Sequence, residues 1–278
     1  MLMRALLLGG LVAIGSCGSS SGPTATTHVG PDTSTTPPFV PPPTPAAKGW
    51  VKGSVSGAGL TNPYQVFVPL NYDATKKWPV ILFLHSSTEQ GLDNVLQTTV
   101  GLGPVIKEQE STFPAIAIFP QVGKNESQRT GYLRVGIAAL DSVLKVYNGD
   151  PARIYLTGIS AGGVYGFEML HLNPGRFAAF MPMAANICPL CITGNANATQ
   201  TAAALALAHE MPTMGYWQFQ GSIDCCIPVQ DARDITNAWR TVNPAVKYTE
   251  YAGIGHGQTH EYAYREPTIF TWLFAQHR

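Results

Sequence analysis

A serine attacks a carbonyl carbon only when a base takes its proton and an acid orients that base. Three segments supply such groups in turn: "YLTGISAGG" around Ser160, "FQGSIDCCIP" around Asp224 and "EYAGIGHGQTH" around His256. The pattern G-x-S-x-G is weak alone, since "GSSSG" at 18–22 also matches it. Context separates the two. Ser160 follows "RIYLTG", which reads as a buried strand, and precedes "AGGVYGFEMLHL", which reads as a helix. A nucleophile elbow needs that strand–turn–helix setting. Gly158 and Gly162 leave room where side chains would clash. The helix behind the serine points free amides and its positive dipole end at developing negative charge, so the Ala161 N–H is an expected oxyanion donor.

The positioning elements follow from the hydrophobic pattern. "YQVFVPL" and "VKYTEYAG" alternate like strands with one wet face. "WPVILFLHSS", "PAIAIFP", "ARIYLTG", "FAAFMPMAA" and "GYWQFQG" are nearly continuous apolar runs, as in strands buried on both faces. Helical patterns fall at about 101–109, 131–147, 161–172, 230–241 and 260–276. Asp231 and Pro267 sit near helix starts, where such residues are favoured or tolerated. Strands alternating with helices imply a mostly parallel sheet covered on both faces, an α/β fold. Asp224 and His256 then fall just beyond strand ends, where open α/β sheets bind ligands. A second oxyanion donor is expected from the loop "LHSSTEQGLDN".

Rivals for these roles are less well placed. Asp231 and Asp234 lie within the next helical pattern and Glu250 within a strand pattern. His256 and His260 have H-x-x-x-H spacing, but Gly255 and Gly257 break any helix that would pair them on a metal. No metal and no cofactor are expected. His171 reads as a structural or surface histidine. Most of the five tryptophans read as core, with Trp217 and Tyr216, just ahead of the acid's loop, as candidate pocket walls.

The 278 residues carry no net charge, which argues against a nucleic-acid surface. "MLMRALLLGGLVAIGSC" has the form of an export signal. Its end, Ile14-Gly15-Ser16-Cys17, resembles a bacterial lipobox. Residues 1–16 are therefore expected to be removed and Cys17 to carry lipid, anchoring an exported protein to a bacterial membrane. Residues 17–47, rich in Ser, Thr and Pro, read as a tether without fixed structure. Residues 48–278 suit one catalytic domain.

Together "FLHSSTEQGLDN", "FPQV", "YLTGISAGG", "FQGSIDCCIPV" and the tail "EYAGIGHGQTHEYAYREPTIFTWLFAQHR" resemble bacterial esterases related to carbohydrate esterase family 1, with feruloyl, acetyl-xylan and polyhydroxybutyrate-depolymerase-like members. The resemblance covers nearly all of the domain from about residue 60. It implies an α/β-hydrolase fold, a Ser160–Asp224–His256 triad, and an oxyanion hole built from the Ala161 amide and one in the 85–87 loop. Ser87 is assigned that second role, with Ser86 as the alternative. Gln121, in "FPQV", joins Trp217 as a candidate pocket residue. Relatives usually show His-Gly where this chain has His85-Ser86, and their Gly-Glu-Arg-Gly pattern is replaced by "TEQG" at 88–91. Gln258 and Thr259 stand where relatives often carry a tryptophan.

Besides Cys17 there are four cysteines, Cys188, Cys191, Cys225 and Cys226. In an exported protein they read as disulfides. The loops ending the predicted strands at 177–185 and 216–221 should be neighbours, which favours cross-links from 188/191 to 225/226, with CxxC plus vicinal pairing as the alternative. The expected function is a serine esterase, with acyl or feruloyl groups of plant polysaccharides as candidate substrates. A serine peptidase, a polyester depolymerase and a non-catalytic glycan-binding module on the same fold are the alternatives.

Overall fold

The computed structural model describes residues 47–278. The signal, Cys17 and the tether to residue 46 lie outside the described residues. Eight strands form one sheet: β1 (Gly49–Gly57), β2 (Leu60–Val68), β3 (Trp78–Leu84), β4 (Ile116–Pro120), β5 (Gly149–Ile159), β6 (Ala179–Met183), β7 (Gly215–Gly221) and β8 (Lys247–Tyr251). Their order is β1-β2-β4-β3-β5-β6-β7-β8. The β1–β2 and β2–β4 pairs are antiparallel and all later pairs are parallel. This is the α/β-hydrolase fold.

Strand β3 shows why the apolar runs become central strands. Val80, Leu82 and Leu84 face one core, while Ile81 and Phe83 face the other, and all five are buried. A strand with period two and helices over both faces has no wet side, so its sequence does not alternate. The first core lies under α2 (Gln128–Val146), α3 (Ala161–Leu172), α5 (Gln200–Glu210) and α6 (Val229–Arg240). The second lies under α1 (Leu102–Glu108), α7 (Thr259–Tyr264) and α8 (Ile269–Phe274). A short α4 (Pro189–Thr193) precedes α5.

One local expectation is corrected, and two elements carry too weak a pattern to be read. The helical pattern at 260–276 is two short helices, parted near Pro267, because proline disfavours helical geometry in the residue before it. Edge strand β1 has mixed burial along "GWVKGSVSG" and carries no clean alternation. Helix α5 is alanine-rich, and its buried face of Ala203, Ala204, Leu207 and Ala208 is too small to stand out as an apolar stripe.

The cysteine pairing is also corrected. Cys188 bonds Cys191, with Cα atoms 5.3 Å apart, and Cys225 and Cys226 are free thiols. Cys188 caps α4, and the Cys191 amide approaches its sulfur at 3.3 Å. One helical turn thus closes the CxxC pair locally, and no sulfur is left for a link to the later loop.

Candidate active site

Ser160 caps α3 with φ 50° and ψ −116°, a region that non-glycine residues enter only when the surroundings force it. The forcing groups are main chain. The Ser160 amide donates to the Met183 carbonyl at 2.9 Å, and its carbonyl accepts from the Val164 amide at 2.9 Å. A Cβ on Gly162 would collide with the carbonyl oxygens of Leu84 and His85, and one on Gly158 would collide with Gly162 itself. The turn is therefore squeezed between the ends of β3 and β6. Its serine hydroxyl is left partly exposed at the carboxyl edge of the sheet.

His256 reaches that hydroxyl: Nε2 lies 2.9 Å from Ser160 Oγ. The other ring nitrogen, Nδ1, lies 2.8 Å and 3.0 Å from the two Asp224 oxygens. The Asp224 side chain is fully buried and the imidazole is partly exposed. Around the carboxylate, Oδ1 accepts the Cys226 and Ile227 amides at 2.8 and 2.9 Å, and Oδ2 accepts Gln220 Nε2 at 2.9 Å. A carboxylate held by so many donors stays fixed in place, and it orients an imidazole with its proton on Nδ1 and a lone pair on Nε2. The three residues picked from the sequence are thus brought together in hydrogen-bond contact.

The rivals are engaged elsewhere. Asp231 accepts from Asn186, Asp234 from Gln230, and Glu250 pairs with Arg233 and Tyr248. His171 pairs with Glu210 at 3.1 Å.

Ala161 opens α3, so its amide has no acceptor within the helix. Ser87 opens a 3-10 turn, Ser87–Glu89, capped by Ser86. The Ser86 amide is taken by the Glu89 carboxylate at 2.9 Å, which leaves Ser87 as the better donor of the two. The orientation of that donor is set from behind. The Ser86 carbonyl accepts His85 Nδ1–H at 2.6 Å and the Tyr132 hydroxyl at 2.9 Å. In a trans peptide the carbonyl and the next N–H point in opposite directions, so pinning the Ser86 oxygen turns the Ser87 amide the other way. His85 Nε2 in turn accepts the Val122 amide at 3.0 Å. Burial pushes the His85 imidazole below its ordinary range, which keeps it neutral in the tautomer these contacts need.

His85, Tyr132 and Glu89 escaped the sequence reading as supporting residues. The signal for Glu89 was present, since Ser86-x-x-Glu89 is a capping box. Tyr132 had none, because it reads as one more apolar position on α2. The candidate pocket residues are corrected, Tyr216 being buried and stacked on Trp239. Gln121 is fully buried, and its amide is consumed by Glu89, Asp93 and Asn94 in bracing the 89–94 loop. Trp217 is 3 % exposed, donates to Thr249 and packs on Phe219 and Trp272. Trp217 faces the core from the middle of β7 and Gln121 has its amide fully engaged, so neither offers a free group to a ligand.

No family model matches the chain, and no curated protein does. Solved structures do. The chain is similar to a thermostable esterase at 26 % identity and TM-score 0.69, with 82 % of this chain and 63 % of that one covered. The chain thus spans less than two thirds of that esterase. It is also similar to a feruloyl esterase module from Clostridium thermocellum complexed with sinapinate, at 18 % identity and TM-score 0.63, covering 84 % and 90 %. Dipeptidyl peptidase 4 of Porphyromonas gingivalis shares the fold at 17 % identity and TM-score 0.61, over 82 % of this chain and 35 % of that one.

Proposed function

We propose that the chain is a serine hydrolase of carboxylic esters. The observation that carries this reading is the unbroken contact series from Ser160 Oγ through His256 to Asp224, set on a strained elbow at φ 50°. Ser160 attacks the ester carbonyl while His256 Nε2 takes its proton. The tetrahedral oxyanion is received by the Ala161 and Ser87 amides. The carbon–oxygen bond to the alcohol breaks, and the imidazolium returns the proton to the leaving oxygen. Water then attacks the acyl-enzyme, with the same imidazole as base, and frees the acid and Ser160. Asp224 holds the tautomer and stabilises the imidazolium throughout.

Acyl or feruloyl esters of plant polysaccharides are the proposed substrates, in keeping with the likeness to a feruloyl esterase module. Export and a lipid anchor at Cys17 are proposed from "IGSC" and the Pro-rich tract behind it. A fluorophosphonate probe should label Ser160 alone. Ser160→Ala should lower hydrolysis on the order of a millionfold with an unchanged circular dichroism spectrum. Retention of more than a few per cent of activity would end the proposal. A screen of p-nitrophenyl acyl esters, methyl ferulate, acetylated xylan and short peptides sorts the substrate class, and turnover of peptides alone would reassign it as a peptidase.

A further inference from the structure

The acid of the site sits in an unusual turn. Asp224 is followed by two cysteines, both exposed and both free, with sulfurs 3.4 Å apart. Cys226 Sγ, a carboxylate oxygen of Asp224 and an imidazole nitrogen of His256 all lie within 4.8 Å of one another. Sulfur, nitrogen and oxygen donors together form a ligand set that suits zinc and its thiophilic congeners.

The geometry is close to what such an ion requires. A tetrahedral ion with its sulfur about 2.3 Å away and its nitrogen or oxygen about 2.0–2.1 Å away separates those donors by about 3.3–3.6 Å. His256 Nδ1 already stands 2.8 Å from Asp224, whereas Cys226 Sγ, within 4.8 Å of the other two donors, must close on them by up to about 1.5 Å. Asp224 is held by three other hydrogen bonds, so the movement falls to the Cys226 side chain. That side chain is exposed and has one rotatable bond to swing. Cys225, whose sulfur lies 3.4 Å from that of Cys226, stands beside them as a second thiol.

We propose that Cys226, Asp224 and His256, with Cys225 beside them, form an inhibitory site for a thiophilic divalent cation. On binding, each coordinating thiol releases its proton to solvent and its sulfur takes the metal; where Nδ1 of His256 coordinates, its proton passes through solvent to Nε2. The carboxylate and the imidazole are then engaged by the ion. Whichever ring nitrogen coordinates, His256 is either blocked as a base or detached from Asp224, so hydrolysis stops until the ion is removed. The ion is a switch-off ligand and takes no part in the reaction. Inhibition rests on the esterase reading above; occupancy of the site does not.

Cadmium tests both. The full chain is used in a Cys17→Ser background, which removes the remaining thiol, and is handled under nitrogen after thiol titration. One cadmium ion per chain is expected, with a sulfur-to-metal charge-transfer band in the ultraviolet. Hydrolysis of a small ester should fall along the same titration curve and return with EDTA. Cys226→Ser should lose the band and move the inhibition midpoint at least tenfold higher. His256→Ala should weaken binding by a similar factor. Ser160→Ala keeps every ligand and should bind cadmium like the parent. If Ser160→Ala still hydrolyses esters, the functional reading fails while the binding curves stand. Inhibition of Cys226→Ser at the parent's midpoint would overturn the site. So would an unchanged midpoint and band in His256→Ala, which would place the metal on the two thiols alone, or a stable Cys225–Cys226 disulfide in the exported protein.

Discussion

The serine and the acid are held by opposite means. Ser160 is positioned by main chain: two glycines without side-chain volume, a positive φ and carbonyls of adjacent strands pressed against it. Asp224 lies in a turn flanked by exposed residues, with Ile223 65 % exposed and both cysteines open to solvent, yet its carboxylate is buried and accepts from Cys226, Ile227, Gln220 and His256. The nucleophile's place is set by steric exclusion and strain. The acid's place is set by hydrogen bonds that converge on one side chain. Strain can be relieved only at a cost in geometry, whereas a hydrogen-bonded turn fails as soon as its acceptor changes.

The sharpest way to break the serine's side is Gly162→Val. Its side chain would enter the space of the Leu84 and His85 carbonyls, and we expect no soluble folded protein, read by expression and circular dichroism. Soluble, folded Gly162→Val protein would show that the elbow is not close-packed. On the acid's side, Asp224→Asn should fold normally and lose about 10⁴ in kcat. An amide in its place presents a donor to Cys226, Ile227 and Gln220 or to the imidazole. Asp231→Asn and Asp234→Asn should stay within twofold of the parent. Equal losses at all three would remove Asp224 from its role.

Strain predicts a smaller, opposite effect on stability. Ser160→Gly should be inactive but melt a few degrees higher than Ser160→Ala, since glycine adopts φ 50° freely and such strain amounts to about 1–3 kcal/mol. The same pair of substitutions at an unstrained exposed serine should reverse the order. Calorimetry on the two variants decides it.

The smallest effect concerns the oxyanion loop. His85 is neutral in the fold and its imidazole is held below the ordinary range by burial. As pH falls below about 6.5, the unfolded chain binds a proton that the folded one refuses, so stability declines until the folded value is reached. His85→Asn should show a shallower decline between about pH 6.5 and 5 in urea titrations. An identical slope would mean that His85 is protonated within the fold.

What the sequence made legible follows the same division. The elbow was readable because strand, glycines and helix are local and each leaves its own mark. Asp224 and His256 were readable because strand ends locate them. The braces were not. Tyr132 reaches Ser86 across 46 positions and Gln121 reaches Glu89 across 32, and nothing in their neighbourhoods distinguishes a tyrosine or glutamine that bonds a distant carbonyl. Trp217 misled for a related reason: proximity along the chain to the acid's turn is not proximity to the cleft, since adjacent residues of a strand face opposite sides. The cysteine pairing failed because a single helical turn, α4, was too short to register as an element.

The local closure of Cys188 on Cys191 bears on where this domain can be made. A cross-link stabilises mainly by restricting the unfolded chain, and it does so in proportion to the logarithm of the loop it closes. A four-residue ring contributes about 2 kcal/mol, whereas a bridge from the same loop to Cys226 would contribute about 4 kcal/mol. The sheet and its two cores are tied together by no covalent bond among the described residues. Folding therefore need not wait for oxidation, and the domain should reach its native state in a reducing cytoplasm, without a disulfide-forming host.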